Sequence, residues 1–267
     1  AGGSTRVLTL SAANDIYINA AIAGANLDLI FSGASGRTID VSANLNVGSV
    51  TFKAMTGAIS CVINTPTITT TGAQVYDGAV VLATSPSTTL TSTGGNIVFH
   101  GDVDSAAGGF PRSLAINTGG GTTTFEGSVG TVIALGALTV NGDANLNGPD
   151  INTIGAQAYN GAVVLGADAT LTSAGGNIVF VSTVDGAYSL AIDAAGTAIF
   201  GGGVGNVTPL STLDVAAAGG TYLNSSTITT IGAQDYSGAV TLGADVTLTS
   251  AGGNIVFNST VDSAAGA

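Results

Sequence analysis

Apolar and polar residues alternate with period two in short runs along most of the chain, and small residues close each run. Ser189-Leu190-Ala191-Ile192-Asp193 is one such run. In an extended strand this alternation sends Leu190 and Ile192 to the same side. Thr170-Leu171-Thr172 and Thr212-Leu213-Asp214-Val215 follow the same rule. The intervening segments, Ser173-Ala174-Gly175-Gly176, Ala194-Ala195-Gly196 and Ala216-Ala217-Ala218-Gly219-Gly220, admit sharp turns and positive φ. Glycine recurs every few residues and no capped apolar stripe appears at helical spacing, so the pattern predicts an all-β chain without helices.

The runs belong to a long repeat. Gly72-Ala73-Gln74-Val75-Tyr76-Asp77-Gly78-Ala79-Val80 returns as Gly155-Ala156-Gln157-Ala158-Tyr159-Asn160-Gly161-Ala162-Val163, and again as Gly232-Ala233-Gln234-Asp235-Tyr236-Ser237-Gly238-Ala239-Val240, at steps of 83 and 77 residues. A second block, Gly94-Gly95-Asn96-Ile97-Val98-Phe99, returns as Gly175-Gly176-Asn177-Ile178-Val179-Phe180 and Gly252-Gly253-Asn254-Ile255-Val256-Phe257. Small turn insertions near Pro86 and Gly109-Phe110-Pro111 account for the longer first step. Within the second copy, Leu171, Leu190 and Leu213 are 19 and 23 residues apart, so each long repeat divides into about four coils.

A strand of this kind buries its apolar face only when coils stack on one another. The expected fold is therefore a β-solenoid, taken as a right-handed parallel β-helix of about 13 coils. Three tandem β-sandwich repeats are the alternative. The lack of tryptophan, the scarcity of aromatic residues and the inner period near 20 all favour the solenoid. The expected organisation is one continuous solenoid: divergent N-terminal coils over 1–65, long repeats over 66–148 and 149–225, and a partial repeat over 226–267. Its structural repeat positions are Gln74, Gln157 and Gln234; Tyr76, Tyr159 and Tyr236; Asn96, Asn177 and Asn254; and Phe99, Phe180 and Phe257.

Charge narrows the function classes. Only 7% of residues are charged and the formal net charge is −12, with four cations in all: Arg6, Arg37, Lys53 and Arg112. Nucleic acid and anionic membrane surfaces are excluded as partners, because both need basic side chains to neutralise phosphate. No apolar stretch approaches the roughly 20 residues of a membrane helix, so direct membrane insertion is not expected. Cys61 has no internal disulfide partner and lies among apolar neighbours, as a buried small hydrophobe would. The chain begins at Ala1 and stops part-way through a repeat. The expectation is a piece of a longer chain, a processed product, or a subunit that stacks end to end.

Catalytic and metal chemistry find little purchase. A Ser-His-Asp triad would have to use His100, the single histidine, whose counterparts in the other copies are Val181 and Asn258. Zinc has too few ligands with one cysteine and one histidine. Recurrent Asp104, Asp185 and Asp262 are weak calcium candidates if they line up as ladders. No cofactor is expected otherwise. Asn206-Val207-Thr208, Asn224-Ser225-Ser226 and Asn258-Ser259-Thr260 match glycosylation acceptors, a pattern common by chance in threonine-rich chains.

Two blocks carry a family resemblance: Thr-Ile-Gly-Ala-Gln-x-Tyr-x-Gly-Ala-Val, and Leu-Thr-Ser-Ala-Gly-Gly-Asn-Ile-Val-Phe. They resemble the β-helix repeats of giant filamentous-haemagglutinin-like exoproteins and autotransporter-type bacterial adhesins. Leu8 to Asn19 is similar to the shorter coils of that group. The resemblance implies a β-helical stalk exported to the surface of a Gram-negative bacterium, with no catalytic residues to carry over. The expected function is a structural shaft segment of a secreted adhesin or extracellular filament, not an enzyme. A self-assembling fibre, sheath or surface-layer protein is the alternative, and a carbohydrate-active β-helix enzyme the third reading. Expected partners are neighbouring repeats of the same or identical chains, and host or cell-surface glycans or proteins.

Overall fold

The computed structural model describes residues 4–34, 36–54, 60–83, 86–148 and 150–264. Among them are thirty strands and no helix. Strands of successive coils pair in parallel, forming a β-solenoid of about 12 turns against the 13 expected. The chain divides into two compact units, Ala1–Gly136 and Ala137–Ala267.

In the first unit one turn is made by three short strands, Thr67–Thr70, Gln74–Tyr76 and Ala79–Leu82. Each belongs to its own ladder of inward residues. One ladder runs through Leu10, Phe31, Phe52, Tyr76, Phe99 and Phe125. The last five stack ring on ring at 5.0–5.2 Å between centroids, with interplanar angles of 5–16°. Aromatic pairs at such distances add about 0.5–1.5 kcal/mol each beyond area burial. A second ladder is Ile16, Ile39, Cys61, Val80 and Val103, and a third is Leu45, Ile68, Leu90 and Ile116. Cys61 is buried, and that burial, with Asp40 nearby, pushes its thiol far above the ordinary range. It packs as a hydrophobe.

The second unit has the same three-sided turn. Val140, Tyr159, Phe180, Phe200, Leu223 and Leu242 form one inward ladder. Ile151, Leu171, Ile192, Val215, Tyr236 and Phe257 form another. Val163, Val184, Val204, Ile228 and Leu248 form the third. Tyr159 and Tyr236 are repeat equivalents, yet they lie in different ladders. The same displacement moves Ile151 to the place of Ile228 and Val163 to the place of Val240. The 77-residue step from Tyr159 to Tyr236 thus falls one face short of four whole turns. Turn length explains the shortfall: Asp168 to Ser189 spans 21 residues in one turn, so 77 residues do not complete four.

Glycine fixes how closely coils approach at the corner after each Leu-Thr-Ser strand. A Cβ on Gly95 or Gly176 would lie 2.4 Å from the amide nitrogen of Ala73 or Ala156, and one on Gly253 would lie 2.3 Å from that of Ala233. Any side chain there would force the turns apart.

Candidate functional site

The most elaborate constellation in the molecule is a buried polar corner that occurs once per long repeat. In the first copy Gln74 lies in a short strand directly beneath Ile97 of the next coil, and its amide is fully buried. An unpartnered amide there would cost roughly 2–7 kcal/mol. Its Nε2 donates to Ile68 O at 3.3 Å, to Thr70 Oγ1 at 3.3 Å and, across the turn interface, to Thr91 O at 2.9 Å. Its Oε1 accepts from the Tyr76 hydroxyl at 2.9 Å. Thr70 Oγ1 and Ser92 Oγ both donate to Gly72 O, and Ser92 Oγ accepts from Gly95 N.

Every bond recurs. Gln157 Nε2 donates to Ile151 O, Thr153 Oγ1 and Thr172 O at 3.1, 3.3 and 2.8 Å, and Tyr159 donates to Gln157 Oε1 at 3.0 Å. Gln234 Nε2 reaches Ile228 O, Thr230 Oγ1 and Thr249 O at 3.4, 3.2 and 2.8 Å, with the Tyr236 hydroxyl 3.1 Å from Gln234 Oε1. Burial pushes all three tyrosine hydroxyls well above their ordinary range, so they remain protonated donors. The corner ties two turns together, and its glutamine, tyrosine and first threonine are buried in all three copies. Phe99, Phe180 and Phe257 stack on Tyr76, Tyr159 and Tyr236, the first two buried in the core and Phe257 37% exposed.

A second recurrent device joins two of the repeat asparagines with aspartates whose part in it the sequence did not single out. Aspartate or asparagine at a corner accepts a backbone N–H from the turn above. Asp15 takes Thr38 N, Asp102 takes Ser128 N, Asp143 takes Ala162 N and Asp168 takes Ser189 N, all at 2.8–2.9 Å. Asn96 Oδ1 accepts from Thr122 N at 3.0 Å and Asn177 Oδ1 from Thr197 N at 2.9 Å. The backbone carbonyl of Asn254, like those of Asn96 and Asn177, accepts from the repeat glutamine's N–H.

Asp104 and Asp185 each hold two amides. Asp104 Oδ1 accepts from Val132 N and Ile133 N at 3.0 and 3.1 Å, and Asp185 Oδ1 from Val207 N and Thr208 N at 2.8 and 3.2 Å. Asp185 pairs over Val164 while Asp262 pairs over Thr241, which places these two equivalents on different ladders. Among the described residues no group of three or more His, Cys, Asp or Glu side chains is placed to hold a metal ion. His100 lies on the surface with Nδ1 2.5 Å from Glu126 Oε2 and Nε2 3.7 Å from Asp77 Oδ1, so that it bridges carboxylates of the turns on either side. Among the described residues no helix is long and apolar enough to cross a membrane.

No protein-family model and no solved structure matches the chain. Two curated proteins are similar to it: Outer membrane protein A of Rickettsia conorii (strain ATCC VR-613 / Malish 7) and Outer membrane protein A of Rickettsia rickettsii. Each is 30% identical over 141 residues, 49% of this chain. The matched stretch is 7% of the first relative and 6% of the second, so the chain spans a small part of their length.

Proposed function

We propose that this chain is a shaft segment of a bacterial surface adhesin, a spacer whose work is mechanical and involves no catalysis. The observation that carries the reading is the buried corner of Thr, Gln, Tyr and Ser, built three times on the same bonds. The side chains that the repeats share most faithfully are used to lock one turn to the next. Coil-to-coil backbone pairing adds a bond per residue along each ladder, and the Asp and Asn clamps close the corners. Such a stack resists extension and carries a distal part of a longer protein away from its anchor. Similarity to two proteins named as outer membrane proteins supports placement at the cell surface.

The test is gold-labelled antibody imaging of the source cells, with antibodies raised against the folded chain. Label on fibres projecting from the surface is the expected result. Label confined to the cell interior would overturn the reading.

A further inference from the structure

The residues that follow the rings of the first unit's aromatic ladder form an outward column of their own. Lys53 follows Phe52, Asp77 follows Tyr76, His100 follows Phe99 and Glu126 follows Phe125. Four adjacent turns thus carry four ionisable groups, and their signs alternate once the His100 ring is protonated. Only 7% of the chain is charged, so such a column stands out from the rest of its surface. The column that follows the second unit's Tyr159 ladder runs Asn141, Asn160, Val181, Gly201, Asn224 and Gly243, with no ionisable side chain.

His100 is the member that joins the column. Its Nδ1 lies 2.5 Å from Glu126 Oε2 on one neighbouring turn, and its Nε2 lies 3.7 Å from Asp77 Oδ1 on the other. A neutral imidazole has one N–H, so it donates to one of these carboxylates and turns a lone pair toward the other. The imidazolium has two N–H groups and attracts both. The other charged groups around the ring are Lys53, one turn beyond Asp77, and Asp102 on its own turn, whose Oδ1 accepts from Ser128 N at 2.8 Å. Backbone bonds join the turns at these same residues. Asp77 N donates to Phe52 O, His100 N to Tyr76 O and Glu126 N to Phe99 O, at 2.8–3.0 Å.

We propose that His100 is an acid-sensitive clip: on protonation it ties the turns of Asp77 and Glu126 to its own and tightens this part of the first unit. Histidine changes charge between about pH 5 and 8, a range in which carboxylates are in general ionised. The charged ring is the form that pairs with both neighbours. Its contribution is therefore present on the acid side of this range and is lost as pH rises through it. All three side chains are partly exposed, so solvent screens the pairs and the effect is small. The proposal goes beyond the shaft reading and does not depend on it.

Amide hydrogen exchange on the full chain, followed residue by residue by NMR at pH 5.5 and pH 8 with intrinsic rates divided out, tests it. Protection of the His100 and Glu126 amides should rise about two- to fivefold on acidification, the size of an exposed ion pair. Protection of the Val181 and Gly201 amides should stay constant. His100→Asn, the exchange that the third copy already shows at Asn258, should abolish the rise, and Glu126→Gln should remove most of it. Protection that stays flat or falls on acidification in the wild-type chain would overturn the proposal. So would a rise of equal size in His100→Asn, or one kept whole in Glu126→Gln.

Discussion

Tyr159 and Tyr236 occupy the same place in successive repeats, yet Tyr159 stacks in line with Phe200 and Leu223 while Tyr236 stands over Val215 and Ile192. One repeat therefore turns the pattern by one face of the coil. A feature carried by both of these repeats therefore stands on two different faces. Decoration spreads around such a stack, while the core retains a single design because all three faces accept short strands with two inward residues.

The buried corner is the feature on which the repeat depends most. Gln157→Leu would strand the Tyr159 hydroxyl and remove the donor to Thr172 O. The expected cost is about 3 kcal/mol, since each buried polar group left alone costs about 1–3 kcal/mol. Tyr159→Phe alone should cost about 1 kcal/mol. The double variant should be more stable than Gln157→Leu, because it removes the stranded hydroxyl as well. Urea unfolding monitored by circular dichroism measures all three.

Asp185 is expected to act on one loop. Asp185→Ala removes the acceptor of Val207 N and Thr208 N, which should speed hydrogen exchange at both amides and lower stability by about 1–3 kcal/mol. Asp185→Asn keeps a carbonyl oxygen in the same place and should preserve most of the protection. Amide exchange read by mass spectrometry separates the two variants. Equal exchange in both would show that the clamp does not hold the loop.

Asp214 gives a pH-dependent component. It pairs in register with Asp235 on the next turn, and desolvation, with that neighbouring carboxylate second, raises its pKa above the ordinary value. A carboxyl that binds its proton more tightly when folded contributes stability at low pH, and that contribution is lost as pH rises through the folded pKa. Asp214→Asn should therefore be more stable than wild type at neutral pH, by no more than about 0.5 kcal/mol given screening at this exposed site. The advantage should fade as pH falls below the carboxylate range. Melting temperatures across pH 3–8 decide it, and an advantage that grows toward acid would contradict the assignment.

Much of the coil was legible in the residues. Alternation such as Ser189 to Asp193 marks inward and outward positions, and the recurring Gly-Gly-Asn marks a corner where turns touch. The rotation was not legible, because Gln157-Ala158-Tyr159 and Val240-Thr241-Leu242 present the same inward-outward-inward pattern and fit the same ladder. Turn length hid it further: Asp143 to Ala162 covers 19 residues and Asn96 to Thr122 covers 26. Asp104 and Asp185 were visible as recurrent acids, but their task depends on a loop more than 20 residues further along the chain.

Disulfide trapping in a Cys61→Ala background tests the rotated register most directly. Asp214 and Asp235 are in-register partners on adjacent turns, and adjacent strands lie about 4.8 Å apart, within reach of a disulfide. Asp214→Cys with Asp235→Cys should cross-link within one chain under mild oxidation, whereas Tyr222→Cys with Asp235→Cys should not. The reverse outcome would place Asp235 on the face of Ala158 and Tyr222, as a repeat of four whole turns requires, and would contradict the account.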